Sequence, residues 1–450
     1  MKITDLIITP LAFADPPLLN STGVHEPLAL RTVVQLVVDG GVVGLGEGSG
    51  ELDVLDRLAK VRTAVVGRSV FETGLIESIV FSVLGADVTP VQKRSVFSIL
   101  EVACLDAQGK LLGVPVVDLL GGAVRSWVPY SAYLFYKWAG HPAVAGGDGV
   151  GRPTGPPAGF GGVAGVAGSG GGAGAAGFAG TPGASGAGVA DEWGAALDPA
   201  GLVAQAQRMI ELYGFGSLKL KGGVFPPEEE IAAIRALAEA FPGMPLRIDP
   251  NGAWSVPTAK RVAAELDGVL EYLEDPTLTT AAMAEVAAVA TMPLATNMCV
   301  ISPETVPEAV RLDAVQIVLS DHHYWGGLRH TRELGAICDT FGLGMSMHSN
   351  SHLGISLAAM THVAAATPNL AYACDTHYPW NRADDVVTQP LEFVGGSLRV
   401  PAGPGLGAEL DEAKLAELNR RYVDSGRTTR ADTAYMRLVE PEYDPTLPRF

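Results

Sequence analysis

After residue 200 the chain repeats one unit. Short apolar runs (LKLK, PLRID, LEYLED, PLATN, AVQIVLSD, GMSMH and AYACD) alternate with helical stretches such as GLVAQAQRMIELYG and PEEEIAAIRALAEAF. Each run carries a polar residue at its C-terminal end: Lys221, Asp249, Glu274, Asn297, Asp321, His348 and Asp375, at intervals of 28, 25, 23, 24, 27 and 27 residues. Each interval is the length of one βα unit, and successive units give parallel strands joined by crossover helices. A doubly wound sheet places its ligand at one switch point. Polar residues closing successive strands instead fit a closed barrel with its active site at the C-terminal strand ends. The expected fold class is therefore α/β, dominated by a TIM-like barrel.

The N-terminal part reads differently. KITDLIITPLAF, RTVVQLVVDG and GVVGLGEGSG alternate like strands, and Asp39-Gly40-Gly41 is a hairpin signal. Residues 52–113 have helical spacing, notably SVFSILEVACLDAQGKLLG. This predicts a separate α+β domain. Between the two parts, 141–190 holds 19 glycines and only two charges, Asp148 and Arg152. Such a composition cannot offset its ordering entropy, so it reads as a flexible insert.

With 450 residues and 48% hydrophobic content, the chain can bury a large core. The formal charge of −18 excludes nucleic acid and anionic membranes as main partners, but leaves room for a small anion bound by local cations. Cys104, Cys299, Cys338 and Cys374 are scattered with no Cys-x-x-Cys pair, which fits reduced thiols and a cytoplasmic location. No signal peptide or membrane span is read.

The run SLKLKGG (217–223) carries Lys219 and Lys221 on one side of a buried strand, with roughly 6.6 Å between positions two apart. Unpaired buried charge is costly, so the lysines are expected to meet an anion together with a metal rather than apolar packing. Asp249, Glu274 and Asn297 close three consecutive strands with hard oxygen donors, a set suited to Mg²⁺. Across the barrel stands His348, with Asp321 closing the preceding strand and able to orient it. A metal between two opposed bases is a device for removing a proton next to a carboxylate. For Lys221 to act as a base it must be neutral, and Lys219 and the metal are expected to lower its pKa. His352 is not read as completing a zinc pair, and His362 on LAAMTHVAAA reads as core.

The order Lys-x-Lys, Asp, Glu, Asn, Asp, His resembles the enolase superfamily, whose sites use a Lys or His base with Mg²⁺. Within it the chain is most similar to the glucarate dehydratase group. The similarity rests on LLNSTGVHEP (18–27), KLKGG (219–223), IDPNGAW (248–254), EDP (274–276), ATNM (295–298), MHSNSHLGISLAAMTHVAAA (347–366) and DTHYPW (375–380). The resemblance implies an N-terminal α+β capping domain, 1–127 completed by about 400–450, and a modified (β/α)7β barrel over 128–399 with the insert inside it. It implies Mg²⁺-dependent dehydration of D-glucarate to 5-dehydro-4-deoxy-D-glucarate, and a homo-oligomer. Asp249, Glu274 and Asn297 are then the metal ligands, Lys221 the base on one face, and Lys219 the group that steadies the enolate. His348, paired with Asp321, serves the other face and protonates the departing hydroxyl. Asn20, His25, Asn251, Asn350, His377 and Arg430 are the implied contacts to a sugar diacid. Other enolate chemistry on a different sugar acid, and a non-catalytic diacid-binding paralogue, remain open. The stretch SDHHYWGG departs from the group in carrying His322 where proline is usual.

Overall fold

The computed structural model describes residues 1–142 and 191–450. The expected glycine-rich insert, apart from its first two residues, lies outside the described residues. In the capping region β1 (Ile3–Ala14), β2 (Leu28–Val38) and β3 (Val43–Ser49) form an antiparallel sheet in that order. The predicted hairpin turn joins β2 to β3, with Gly40 and Gly41 at φ of 91° and 85°. Glycines 44, 46 and 48 leave one face of β3 without side chains. Helix α3 (Pro90–Leu112) lies directly on that face; a Cβ at Gly44 would come within 2.0 Å of Ala103 O. The helical region consists of α1 (Leu52–Val65), α2 (Thr73–Leu84) and α3 (Pro90–Leu112), the last opened by a Thr89/Gln92 capping box.

The barrel strands run parallel and in chain order: β4 (Ala132–Phe135), β5 (Leu218–Lys221), β6 (Leu246–Asp249), β7 (Tyr272–Glu274), β8 (Leu294–Thr296), β9 (Ile317–Ser320) and β10 (Gly344–Met347). Crossover helices α4 (Pro199–Tyr213), α5 (Pro227–Ala240), α6 (Val256–Glu265), α7 (Thr280–Ala287), α8 (Val306–Leu312), α9 (Leu328–Phe341) and α10 (Gly354–Ala366) cover the sheet. Asp198, Ser255 and Thr279 accept backbone N–H groups at the starts of α4, α6 and α7, which fixes where those helices begin.

The run AYACD makes no regular strand. It still closes the curl. Ala371 N and Asp375 N donate to Met345 O and Met347 O at 3.1 and 2.9 Å, while Cys374 N donates to Pro129 O and Ser131 N to Cys374 O, both at 2.8 Å. The segment thus bridges β10 to the residues leading into β4.

Two buried carboxylates seat the capping region on the barrel. Glu101 of α3 accepts from Leu328 N and Arg329 N at the start of α9, and Glu47 of β3 accepts from Leu353 N and Ser356 N at the start of α10. Each occupies a helix N-terminus, where unpaired N–H groups and the helix dipole favour an anion. At the C-terminal end α11 (Glu412–Ser425) packs on β1, with Asn419 Nδ2 donating to Pro10 O at 2.6 Å. No helix among the described residues is long and apolar enough to cross a membrane.

Candidate active site

Alternation along β5 sends Leu218 and Leu220 into the hydrophobic core and both lysines to the opposite side. Lys219 Nζ lies 2.7 Å from Glu274 Oε1 and 2.6 Å from Asp375 Oδ2. Lys221 Nζ lies 2.6 Å from Asp249 Oδ2. Asn297 Nδ2 donates to Glu274 Oε1 at 2.6 Å. The five residues expected around the metal are therefore brought together. Tyr133 on β4, not singled out from the sequence, lays its ring beside the pair, 4.7 Å from Lys219 Nζ and 5.9 Å from Lys221 Nζ. Asp375 was legible only as a strand end. Its role as a partner of Lys219 depends on the closure of the curl.

The neighbouring carboxylates dominate the electrostatics of both lysines. Burial works against the charged form of Lys221, but the Asp249 carboxylate outweighs it and shifts the amine upward. Burial also opposes charge on Lys219, and Asp375 and Glu274 reverse it in the same way. Two of the carboxylates remain under-compensated. Burial and the Asp249 charge push Glu274 well above the usual range and Asp275 up to about 7.

Those carboxylates decide whether a cation fits. Ligand atoms of Asp249, Glu274 and Asp275 lie within 4.8 Å of one another. Asp275 is engaged elsewhere, accepting Thr296 Oγ1 and, at 2.8 Å, Asn297 N. Glu274 Oε2 is buried and receives no aligned hydrogen bond, although Lys219 Nζ is 2.6 Å away. An all-oxygen set with three carboxylates in so small a space fits a hard divalent cation such as Mg²⁺.

On the other side, Asp321 Oδ2 lies 3.2 Å from His348 Nδ1 and accepts Asn350 Nδ2 at 3.4 Å. Burial raises the Asp321 carboxyl, but the His323 and His348 imidazoles outweigh it and hold it well below the usual range. His323, absent from the sequence reading, places its Nδ1 2.8 Å from Asp321 Oδ1.

The residues expected to contact substrate divide into two groups. His377 packs edge-on against Tyr133 and tilted against Phe135, with centroids at 4.7 and 5.2 Å. Burial is the leading cause that holds its imidazole well below the usual range. Asn251 N donates to Asp249 Oδ1 at 2.9 Å, while its side chain reaches Met298 Sδ at 3.2 Å. In the capping region Asn20 and Arg430 converge on Asp432, and Arg430 and His25 on Asp15. His25 reaches the barrel through Phe135, at 5.9 Å between centroids. His352 points Nδ1 at Leu353 O and Nε2 at Thr376 Oγ1. His362 is a core residue: Nδ1 accepts Val117 N–H and Nε2 faces Leu406 O.

Comparison with known proteins adds the family. Residues 201–414 match the family described as Enolase C-terminal domain-like. A probable glucarate dehydratase of Streptomyces coelicolor is 51% identical, across 100% of this chain and 99% of that protein. The chain belongs to the enolase superfamily. A solved Mycobacterium smegmatis enolase complexed with tartrate shares 53% identity, with a TM-score of 0.87 over 100% of this chain and 98% of that one. A Thermobispora bispora enolase complexed with magnesium and formate shares 48% identity, with a TM-score of 0.88 over 100% of both chains. For this enolase-superfamily chain the matched residues run from within α4 to within α11, so they contain every strand end from Lys221 to His348.

Proposed function

We propose that the protein dehydrates an acid sugar in a Mg²⁺-dependent reaction, taking D-glucarate to 5-dehydro-4-deoxy-D-glucarate. The observation that carries this reading is the presence of two different candidate bases, each held by its own buried carboxylate, Lys221 beside Asp249 and His348 beside Asp321. A protein that only binds a diacid has no need of both. The 51% identity to a probable glucarate dehydratase supports the choice of substrate.

In this reading Asp249, Glu274 and Asn297 hold the cation, which supplies positive charge to the substrate carboxylate. Lys221 stays charged while Asp249 Oδ2 is its partner; once that oxygen is engaged elsewhere, the neutral amine can take the proton α to the carboxylate. The negative charge that develops on the carboxylate faces the Lys219 ammonium. His348, protonated and steadied by Asp321, gives its proton to the β-hydroxyl. The C–O bond breaks, water leaves, and a Cα–Cβ double bond forms. The resulting enol takes a proton on the carbon that lost the hydroxyl, gives up its O–H proton to solvent, and becomes the ketone. His348 serves as base when the substrate's α-proton lies on its own face.

The test is purified protein with Mg²⁺ against a panel of sugar acids and diacids, with products identified by NMR. Loss of one water from D-glucarate is expected. Turnover confined to another acid sugar would keep the chemistry and overturn the substrate; no turnover of any acid would overturn the reading.

A further inference from the structure

Asp321 is shared by two histidines. Oδ2 faces His348 Nδ1 at 3.2 Å, and Oδ1 faces His323 Nδ1 at 2.8 Å while accepting His323 N–H at 2.9 Å. The far nitrogen of His323, Nε2, lies 3.2 Å from Arg31 Nη2 and 3.1 Å from Ser356 Oγ. Arg31 comes from β2 of the capping region and is itself held by Glu47, whose Oε1 accepts Arg31 Nε at 2.9 Å. A continuous polar chain therefore runs from Glu47 through Arg31, His323 and Asp321 to His348.

The donor inventory of this chain leaves one arrangement. A guanidinium only donates, so the nitrogen it faces must accept. His323 Nε2 therefore carries no proton, and the single ring proton sits on Nδ1, where it is given to Asp321 Oδ1. The Ser356 hydroxyl agrees, since it accepts from Arg31 Nη2 at 3.4 Å and is free to donate to Nε2. An imidazolium here would set an N–H against the N–H of Arg31 and a second positive charge beside it. The other titratable or charged groups near the ring are His322 stacked on it at 4.0 Å, Glu47 behind Arg31, and His352 before α10.

We propose that His323, locked in its neutral Nδ1–H form by Arg31, is a positioning residue for the His348 side of the site. It pins one oxygen of Asp321, so that the other oxygen and the carboxylate's full charge are left to orient His348. His348 is then held with its proton on Nδ1, and Nε2, which has no hydrogen-bond partner among the described residues, is left to exchange protons with substrate. Arg31 and Glu47 make this arrangement depend on seating of the capping region, because Glu47 also holds the start of α10. The consequence for turnover rests on the proposed function above; the orientation of His348 does not.

Two substitutions separate positioning from simple space-filling. An asparagine side-chain amide falls near the Nδ1 position of histidine, a glutamine amide near Nε2. His323→Asn therefore keeps a donor to Asp321, whereas His323→Gln keeps an acceptor for Arg31 and loses that donor. The first readout needs no substrate: ¹⁵N-imidazole spectra of the full chain, with the His348 signal assigned by its loss in His348→Gln. Wild type and His323→Asn are expected to show His348 as the Nδ1–H tautomer, and His323→Gln a mixture of both tautomers. The second readout is kcat against KM on D-glucarate, with about a tenfold loss of kcat and little change in KM for His323→Gln, and recovery in His323→Asn. A single Nδ1–H tautomer in His323→Gln, or equal disturbance in both variants, would overturn the proposal. If wild type turns over no acid sugar while the tautomer pattern appears as expected, the positioning relation stands and only the functional reading falls.

Discussion

Lys221 Nζ and Asp249 Oδ2 are 2.6 Å apart in a buried pocket, so the proposed base and a proposed metal ligand share one contact. Ligation and base strength are then coupled: the oxygen that keeps the amine charged is one that the cation would claim.

Chelation tests that coupling directly. EDTA is expected to abolish turnover, and Mg²⁺ to restore it. Asn297→Ala removes one oxygen donor from a residue just beyond β8. It should raise the Mg²⁺ concentration needed for half-maximal activity about tenfold, with the melting temperature little changed. Full activity in chelated protein would sink the metal reading.

Opposed bases predict a split in proton exchange. In deuterated water, Lys221→Ala and His348→Ala should each stop exchange of the α-proton on one member of the epimeric pair D-glucarate and L-idarate, and each should spare the other member. If either variant blocks exchange on both epimers while still binding them, one base serves both faces and the assignment is wrong.

The junction between capping region and barrel carries a titrating contact. His330 on α9 lies 3.1 Å from Glu77 on α2 and 2.9 Å from Glu333. The hydrogen bond to Glu77 leads, burial opposes it, and Glu333 adds to it, so the imidazole is raised to about 9. A raised folded pKa stabilises the protein while the group is protonated. The contribution is present below the unfolded value of about 6.5 and is lost as pH rises through about 9. The melting temperature of wild type should therefore fall between pH 7 and pH 9 relative to His330→Gln. Parallel curves for the two proteins would refute the contact's role.

His362 provides a structural contrast to the site histidines. Both its nitrogens are used inside the core, by Val117 N and Leu406 O. His362→Leu strands both backbone groups and should cost about 2 kcal/mol or more in a denaturant titration. Activity per folded molecule should be unchanged. A selective loss of kcat with stability intact would mean that His362 acts on the chemistry.

The sequence was most informative where the physical signal was local. Strand ends recur at βα spacing because one strand, one helix and two turns consume a nearly constant length of chain. Once that period is read, Lys219, Lys221, Asp249, Glu274, Asn297, Asp321 and His348 fall on one rim, and the structure gathers them into two neighbouring sets of contacts. The hairpin at Gly40-Gly41 is legible for the same reason, since positive φ is a property of the residue itself. AYACD has the composition of a strand. Its irregular bridging arises from what lies on either side of it, which composition does not encode.

Everything decided by distant pairing needed the tertiary structure. Arg31 meets His323 across 292 residues, and Glu47 meets Leu353 across 306. Nothing local to β2 or β3 marks these side chains as holding a barrel helix. The family resemblance implies that Asn20, His25 and Arg430 contact substrate, but nothing local in the chain marks Asp15 and Asp432 as their partners. The same holds for charge. Lys219 is visible two residues from Lys221 in the chain, but the carboxylate at 2.6 Å that shifts Lys221 upward is brought there by the fold. Coulomb energy depends on separation in space, and in a buried site it is weakly screened. Order along the chain could therefore name the rim residues, but only the folded distances could say which of them hold a charge, and for whom.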